Sequence, residues 1–290
     1  MTFDLIVPQS SQPFIFDHGI QWGEFHDWNW NGFKCHWRVL GKENKQPLVF
    51  IHGFGASSAH WRKNAAAFAK AGFRVYALDL IGFGLSEQPL SSKQEKLDNF
   101  FWAQQLIAFL EDIAQVKTST KAVLIGNSLG ALVAINTVSI RPDLVKAVVA
   151  SPLPDPAFMQ PFNLMNLKVL SRINNFLVKL FFKLLPLEIF VPLIARTSIL
   201  RIALQFAYSQ SISRDYELLK LVATPAQRRS APRALRAMCI GMSTRPFSNT
   251  APFLLKQLSE SIYRRPILLL WGREDKLVPL NIAKLITKQY

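Results

Sequence analysis

Short runs of apolar residues alternate along the chain with longer segments in which apolar and polar positions are mixed. A short, continuous apolar run is typical of a strand buried on both faces of a parallel sheet. The mixed segments have the spacing of helices that cover such a sheet. We therefore predict a doubly wound α/β fold with a mostly parallel sheet. The predicted strands are residues 47–51, 72–79, 121–126, 144–150 and 266–271, and the predicted helices include 58–71, 98–116 and 279–290.

A hairpin is predicted ahead of this pattern. Residues 22–30 and 33–40 are strand-like and are separated by Asn31-Gly32. Asn-Gly is the strongest sequence signal for a two-residue hairpin turn, so we expect these two strands to pair in antiparallel fashion.

The strand pattern stops after the fourth of these strands, at residue 150, and returns only near the end of the chain. Between residues 152 and 263 the chain has helix-like pieces separated by prolines. We predict a helical cap or lid inserted into the α/β core. The expected division is core over 1–151, cap over 152–263 and core again over 264–290.

The predicted cap carries most of the positive charge. The chain has a formal net charge of +15, and about +10 of it falls within residues 156–262. In the predicted helix 166–185, four cations share one helical face (Lys168, Arg172, Lys179 and Lys183). Such a helix could contact an anionic membrane surface. From the sequence we favour the alternative, in which the apolar side packs on the core and the cations face water.

The motif Gly126-Asn-Ser-Leu-Gly130 stands where a predicted strand ends and a helix begins. It matches G-x-S-x-G, in which a strained strand-to-helix turn exposes a nucleophilic serine. Ser128 would then attack a carbonyl carbon, and the Leu129 N–H would donate to the developing oxyanion. A serine between glycines can also mark an ordinary turn, but the strand–turn–helix context favours the nucleophile elbow.

Two neighbouring strand ends carry further polar residues. The small-residue loop at 52–57 is suited to supply a second oxyanion donor, the Phe54 N–H, although an ordinary tight turn is the alternative. We expect His52 to fix this loop by hydrogen bonds. Asp79 follows the next strand, and we expect its carboxylate to organise a loop rather than to act in catalysis.

An acid suited to a catalytic triad follows the last predicted strand. Asp275 lies just beyond that strand and downstream of Ser128, which is the chain order of the G-x-S-x-G hydrolases. Glu274 is the local alternative, but the spacing favours Asp275.

The amino-acid composition favours a folded protein with a large core and without disulfides or a cysteine metal site. Half of the 290 residues are apolar, which is enough for a large core. The two cysteines, Cys35 and Cys239, are far apart and indicate reduced thiols rather than a disulfide framework or a metal site.

We expect no signal peptide, no membrane span and no cofactor, and a cytoplasmic location with peripheral membrane contact at most. The sequence has no nucleic-acid-reading motif and leaves the oligomeric state open.

Four motifs, taken together, resemble those of the α/β-hydrolase superfamily over nearly the whole chain. They are His52-Gly-Phe-Gly, Asp79-Leu-Ile-Gly-Phe-Gly-Leu-Ser, Gly126-Asn-Ser-Leu-Gly and Trp271-Gly-Arg-Glu-Asp-Lys-Leu-Val-Pro. The serine motif is similar to that of carbon–carbon-bond hydrolases of aromatic ring cleavage. It is also similar to that of hydrolases that remove phytol from chlorophyll pigments, as in pheophytinase and chlorophyll dephytylase, and the loop 54–64 favours this second group. The resemblance implies Ser128 as nucleophile, Asp275 as triad acid, and the Phe54 and Leu129 N–H groups as oxyanion hole.

The sequence departs from that family at the catalytic base. The family implies a histidine after the last strand, whereas all five histidines here precede the serine (positions 18, 26, 36, 52 and 60). We expect His18, His26 and His36 at the surface or a sheet edge. The explanation that we favour is a truncated chain, without the last strand and closing helix and with an uncovered sheet edge at 266–271. Substitution by His52 and a non-catalytic role are the alternatives.

Two functions follow. The first is a serine hydrolase acting on an ester of a small apolar substrate, such as a phytol-type ester, with reduced or lost activity if the base is absent. The second is a catalytically inactive protein that binds a hydrophobic ligand or an anionic membrane surface through its basic cap.

Overall fold

A computed structural model describes residues 22–89, 96–159 and 168–290, without the side chains of 168–173. The strands are β1 (Glu24–Trp30), β2 (Phe33–Leu40), β3 (Gln46–Ile51), β4 (Phe73–Leu78), β5 (Ala122–Asn127), β6 (Val145–Ser151) and β7 (Ile267–Leu269). The first helices are α1 (Ala65–Lys70), α2 (Asn99–Ala108), α3 (Leu129–Ile140), α4 (Lys168–Leu184) and α5 (Leu187–Arg196). The others are α6 (Ser198–Ala207), α7 (Tyr216–Ala226), α8 (Ala231–Ser243), α9 (Ala251–Glu260) and α10 (Leu280–Gln289).

All seven strands form one sheet, in the order β1-β2-β4-β3-β5-β6-β7. The first three strands in this order pair antiparallel, and every pair from β4 to β7 is parallel. Apolar residues of β3 alternate between two separate cores, with Leu48 and Phe50 in one and Val49 and Ile51 in the other. The sheet is therefore buried on both faces, and the predicted doubly wound α/β fold is confirmed.

The predicted hairpin is present. Its turn residues Asn31 and Gly32 have φ values of 49° and 76°, as a tight two-residue turn requires, and Trp30 pairs directly with Phe33.

Two predicted helices are irregular. Residues 58–71 form a 3₁₀ helix (Ser58–Lys63) followed by the short α1, because the first segment is held to the sheet rather than free to wind as one helix. The Ser58 N–H donates to the buried Asp79 carboxylate, and the Trp61 ring stacks on Phe50 with 4.2 Å between ring centroids. Helix α2 continues into a π-helical turn, Phe109–Ile113.

Between β6 and β7 the described chain contains helices and no strand. Helices α4–α9 lie in this interval, as the pattern of the sequence predicts, while the exact domain boundaries stay a prediction. No helix in the described part of the chain is long and apolar enough to cross a membrane.

Helix α4 differs from the arrangement that we favoured from the sequence. Its apolar residues Phe176, Phe181 and Leu184 are 63%, 60% and 73% exposed rather than packed on the core. The reason is that a different side of the helix faces inward: Phe182 lines a cavity, and its carbonyl oxygen accepts a hydrogen bond from Arg236.

Strand β7 lies at one edge of the sheet. It has three residues, and its described partner is β6, through Val148, Val149 and Ala150. Leu268 of this strand is 55% exposed. Because β7 is parallel to β6, the loop that follows β7, residues 270–279, starts at the end of the sheet where β3, β5 and β6 have their carboxyl ends.

Candidate active site

Ser128 lies in a sharp turn between β5 and α3. Its backbone has φ 53° and ψ −116°, a conformation that L-residues rarely adopt and that costs on the order of 1–3 kcal/mol. Two bonds fix the turn from β6: the Ser128 N–H and the Asn127 Nδ2 both donate to the Ser151 carbonyl oxygen, at 3.1 Å and 2.7 Å. The strand–turn–helix that the motif requires is thus present.

The two glycines of the motif are required by close backbone contacts. A Cβ atom on Gly126 would lie 2.3 Å from the Gly130 carbonyl oxygen, and one on Gly130 would lie 2.2 Å from the Ile51 carbonyl oxygen. Real Cβ atoms essentially never approach backbone so closely. The turn therefore packs directly against the end of β3, which brings the loop after β3 next to Ser128.

That loop turns tightly at Phe54. The Ala56 N–H donates to the Gly53 carbonyl oxygen at 3.2 Å, and Gly55 has φ +68°, where a glycine is favoured. A Cβ on Gly53 would lie 3.2 Å from the Ser128 Cβ, so the loop and the serine are in contact.

Two backbone N–H groups are available beside the serine. Among the described residues, no hydrogen bond is made by the N–H of Phe54 or by the N–H of Leu129, which is the first residue of α3. Helix α3 is buried along almost its whole length, so its N-terminal partial positive charge is held in a fixed position. This pair of donors suits an oxyanion formed on a carbonyl group that Ser128 attacks.

His52 holds the loop and the next strand end together, as predicted. Its Nδ1 lies 2.8 Å from the Gly53 carbonyl oxygen, and its Nε2 accepts a hydrogen bond from the Leu80 N–H at 3.0 Å. Burial lowers the pKa of the imidazole, which stays neutral with Nδ1 as donor. Both ring nitrogens have hydrogen-bond partners, so His52 is not free to accept a proton from Ser128.

Asp79 organises its loop, also as predicted. It is 1% exposed, and its two carboxylate oxygens accept hydrogen bonds from the N–H groups of Ser58 and Leu85. Burial by itself would raise the pKa of this carboxyl, but the neighbouring His36 and the hydrogen bonds from these two N–H groups outweigh it and keep the pKa below its usual range.

None of the other described histidines is hydrogen-bonded to Ser128. His60 accepts a hydrogen bond from the Ser57 N–H at 3.0 Å, and burial lowers its pKa to about 4. His26 is on β1 as expected, but His36 is 3% exposed rather than at the surface, because Phe25 and Asp27 of the paired strand cover its ring. His18 lies outside the described residues.

A cavity of about 360 Å³ opens beside Ser128. Most of its lining is apolar and comes from the loops after β3 and β6 and from helices α2, α3, α4 and α8. Apart from its serines, the described lining contains one nucleophilic side chain, Cys239. Burial raises the pKa of this thiol, so it stays protonated. The lining residues are Phe54, Trp102, Ser128, Leu129, Leu132, Pro154, Pro156, Phe182, Met238, Cys239, Met242, Ser243 and Arg245.

Arg245 of the cavity lining belongs to a buried ion pair that was not predicted from the sequence. Arg245 Nη2 lies 2.7 Å from Asp155 Oδ1, and the side chains are 9% and 0% exposed. Asp155 also accepts the N–H groups of Ala157 and Ala251. The signal was present in the sequence, because Asp155 is an acidic residue just beyond the carboxyl end of a buried strand, the position that singled out Asp275.

Asp275 is not brought into the described cavity lining. Its Oδ1 accepts hydrogen bonds from the N–H groups of Leu277 and Val278, each at 2.9 Å, so the carboxylate closes a turn in the loop after β7. The Trp271 indole N–H donates to the Val278 carbonyl oxygen at 2.7 Å and fixes the same loop. The described residues place no imidazole between this carboxylate and Ser128.

Comparison with protein families agrees with this architecture. The family described as alpha/beta hydrolase fold matches the chain over residues 46–289. The match begins at β3 and ends in α10, so it includes every element that contributes to the turn at Ser128, the cavity and the loop of Asp275.

Several relatives and solved structures are named as hydrolases. The chain is 28% identical to mouse epoxide hydrolase 4, over 90% of this chain and 68% of that protein. It is 30% identical to the pimeloyl-[acyl-carrier protein] methyl ester esterase of Vibrio atlanticus, over 86% of this chain and 83% of the esterase. The structure resembles the Cif epoxide hydrolase from Acinetobacter nosocomialis with a TM-score of 0.69 at 20% identity, over 92% and 78% of the two chains. Two other relatives align over less than half of their own length, 44% and 33%.

Proposed function

Because the chain belongs to the α/β-hydrolase fold family, we propose that it is a serine hydrolase that cleaves a carboxylic ester of an apolar substrate. The observation that carries the proposal is Ser128 in its strained turn, beside two unpartnered N–H groups and an apolar cavity. Two of its relatives are named as an epoxide hydrolase and a methyl ester esterase, which supports the reaction class.

The proposed reaction follows from this arrangement. The Ser128 oxygen attacks the ester carbonyl carbon, and the oxyanion receives hydrogen bonds from the Phe54 and Leu129 N–H groups. Collapse of the tetrahedral intermediate expels the alcohol and leaves an acyl group on Ser128, which water then removes. The N–H groups are fixed by the tight turn and by the buried helix, so they need no reorganisation as charge develops.

An ester is favoured over an epoxide by the chemistry of serine. A serine oxygen that opens an epoxide forms an ether, which water does not cleave, so the enzyme would stop after one turnover. Attack on an ester forms an acyl-enzyme, which water can hydrolyse. Among the relatives, the methyl ester esterase is therefore the better guide to the reaction.

The cavity supports an apolar substrate. Its volume of about 360 Å³ lies near the lower end of the usual range of about 300–1,000 Å³ for small-molecule sites. It would hold one apolar arm of an ester next to Ser128. A phytol-type ester has such an arm and stays one candidate within this class.

The described residues place no histidine beside Ser128 to accept its proton. A serine hydroxyl is a poor nucleophile without an adjacent base, and loss of the histidine of a serine protease triad lowers kcat about a million-fold. None of the described histidines lines the cavity. We therefore expect slow acylation by this chain, with a rate that rises with pH and with added imidazole.

A fluorophosphonate probe tests the assignment. We expect it to label the protein slowly, faster at high pH and faster again with imidazole in the buffer, which can enter the cavity as a small base. Ser128→Ala should abolish the labelling, measured by intact-protein mass spectrometry. Ser259→Ala, which removes a serine on α9 that bonds only the Lys256 carbonyl oxygen, is the matched control and should label like the parent chain.

An alternative function is binding without catalysis, which the apolar cavity lining favours. In that case no label would appear under any condition and Ser128→Ala would behave like the parent. A fluorescent fatty-acid analogue would still bind, and Met242→Trp, which adds bulk at the cavity wall, would weaken it. This outcome would replace the hydrolase by a carrier of an apolar ligand.

A further inference from the structure

Three consecutive helices expose apolar side chains to solvent. On each helix these residues are spaced so that they form one stripe, with intervals of one, three and four residues. None of the residues of α6 is buried. The exposed residues are Phe176, Leu177, Leu180, Phe181 and Leu184 on α4, Ile189, Phe190, Leu193 and Ile194 on α5, and Ile199, Ile202 and Phe206 on α6. We call this set the α4–α6 face, because α4 and α5 both pack on α8 and α6 contacts α5.

The stripes point outward because other sides of the helices are already occupied. Helix α4 contacts α8, α5 contacts α7 and α8, and α6 contacts α5 and α7. Arg236 of α8 anchors this packing, since its guanidinium donates to the carbonyl oxygens of Phe182 and Leu185 at 2.8 Å and 2.9 Å. Rotating the helices to bury the stripes would break these contacts. The apolar face is thus a fixed feature of the fold.

The charges at this face have one sign. Lys179 and Lys183 border the stripe of α4, Arg196 ends α5 and Arg201 lies on α6, and all four are exposed. Among the described side chains of residues 174–207, the only acidic one is Glu188.

Glu188 is neutralised by its neighbour. Its two carboxylate oxygens lie 2.6 Å and 2.9 Å from the Arg236 guanidinium, and this hydrogen bonding is the main reason why the pKa of Glu188 is lowered to about 2. The charge that the face presents to a partner is therefore positive.

We propose that the α4–α6 face binds the surface of an anionic lipid bilayer. Exposed apolar stripes bordered by cations are the arrangement of helices that lie in a membrane interface, with apolar side chains among the acyl chains and cations at the headgroups. Anionic headgroups are attracted to cations at such a face. A second copy of the chain is a less suitable partner, because two-fold pairing would place the four cations of one copy next to the same four cations of the other.

This inference does not depend on the proposed hydrolase activity. It would place one side of α4 in the interface and the opposite side, with Phe182, at the cavity. A protein that fails to react with the fluorophosphonate probe can still bind vesicles, so the two proposals fail separately.

Vesicle co-sedimentation of the full chain tests the proposal. We expect binding to phosphatidylcholine vesicles that contain phosphatidylglycerol and much weaker binding to phosphatidylcholine alone. Raising NaCl from about 0.1 M to about 1 M shortens the Debye length from about 10 Å to about 3 Å, and should release most of the bound protein. Absence of binding to the anionic vesicles at the lower salt concentration would overturn the proposal.

Paired variants locate the charge contribution. Lys179→Gln with Lys183→Gln should weaken anionic-vesicle binding about 25-fold, or about fivefold for each lysine. The matched control is Lys45→Gln with Lys117→Gln. It removes the same charge from exposed residues outside the face, which precede the amino ends of β3 and β5. Equal losses for the two pairs would overturn the assignment to this face.

A second pair locates the apolar contribution. Ile199→Gln with Ile202→Gln should reduce binding at both salt concentrations, whereas Ile262→Gln, at an 88% exposed residue outside the face, should not. Circular dichroism and a thermal melt establish that each variant is folded. If Ile199→Gln with Ile202→Gln converts a dimer into a monomer in light scattering and leaves vesicle binding unchanged, the face is a self-association surface and the membrane proposal is wrong.

Discussion

At Ser128 the positive φ value places the hydroxyl at the end of β5, where it lines the cavity. Asn127 and Gly130 maintain that angle, the first by bonding Ser151 and the second by allowing α3 to touch β3. The strain at one residue is therefore held by contacts from three elements, which is the usual way in which such a conformation persists.

Gly130→Ala tests how tightly this turn is built. The new Cβ would lie 2.2 Å from the Ile51 carbonyl oxygen, so β3 and α3 must separate, and we expect a loss of about 3 kcal/mol or more in the free energy of unfolding. Urea denaturation measures it. Gly272→Ala is the control, because its Cβ would meet its nearest neighbour at 3.6 Å, and it should change stability by less than about 0.5 kcal/mol. Similar values for both variants would contradict this account.

At the scale of elements, the Asp155–Arg245 pair joins the segment after β6 to the region between α8 and α9. Asp155 accepts the Ala251 N–H at 2.7 Å, at the start of α9, and Arg245 also donates to the Met242 carbonyl oxygen near the end of α8. Arg245 lines the cavity and Asp155 follows β6, so the pair couples the helices that cover the cavity to the strand beside Ser128.

Asp155→Ala should therefore be strongly destabilising. It leaves the Arg245 guanidinium buried without its carboxylate, a change that costs about 3–5 kcal/mol. Asp143→Ala provides the comparison, because the Arg141–Asp143 pair is 35% and 41% exposed and should contribute at most about 1 kcal/mol. Urea denaturation of both variants decides the matter, with Asp155→Asn as a milder change if the alanine variant does not fold. An Asp155 effect no larger than that of Asp143 would refute the coupling.

At the scale of the whole molecule, stability should depend on pH through buried histidines. Burial lowers the pKa of both His52 and His60, the latter to about 4. Below pH 6.5 the unfolded chain takes up protons that the folded chain does not, so the free energy of unfolding falls as pH falls. His60 alone contributes about 2 kcal/mol of this decrease between pH 6.5 and 4.5.

His60→Gln measures this contribution. In urea denaturation at several pH values, the variant should lose less stability between pH 6.5 and 4.5 than the parent chain, and the remaining slope should reflect His52. Carboxylates with lowered pKa, such as Glu188, lose most of their contribution below pH 4.5, so the histidines dominate the change in this window. An unchanged slope in His60→Gln would show that its imidazole is protonated in the folded chain as readily as in the unfolded one.

The sequence by itself determined the parts of this protein that depend on local pattern. Apolar runs predicted the buried strands, Asn31-Gly32 predicted the hairpin, and Gly126 and Gly130 marked the turn at Ser128, because each follows from short-range sterics or from burial on both faces of a sheet. The structural roles of His52 and Asp79 were also predicted, since both stand at strand ends.

Only the tertiary structure decided which side of a helix faces inward and which distant residues meet. Helix α4 is amphipathic in the sequence, but contacts with α8 turn its apolar stripe outward. Asp155 and Arg245 are separated by 90 residues, and no local pattern links them. Periodicity fixes the relative placement of side chains on one element, whereas the choice between its faces depends on the free energy of packing against all the others.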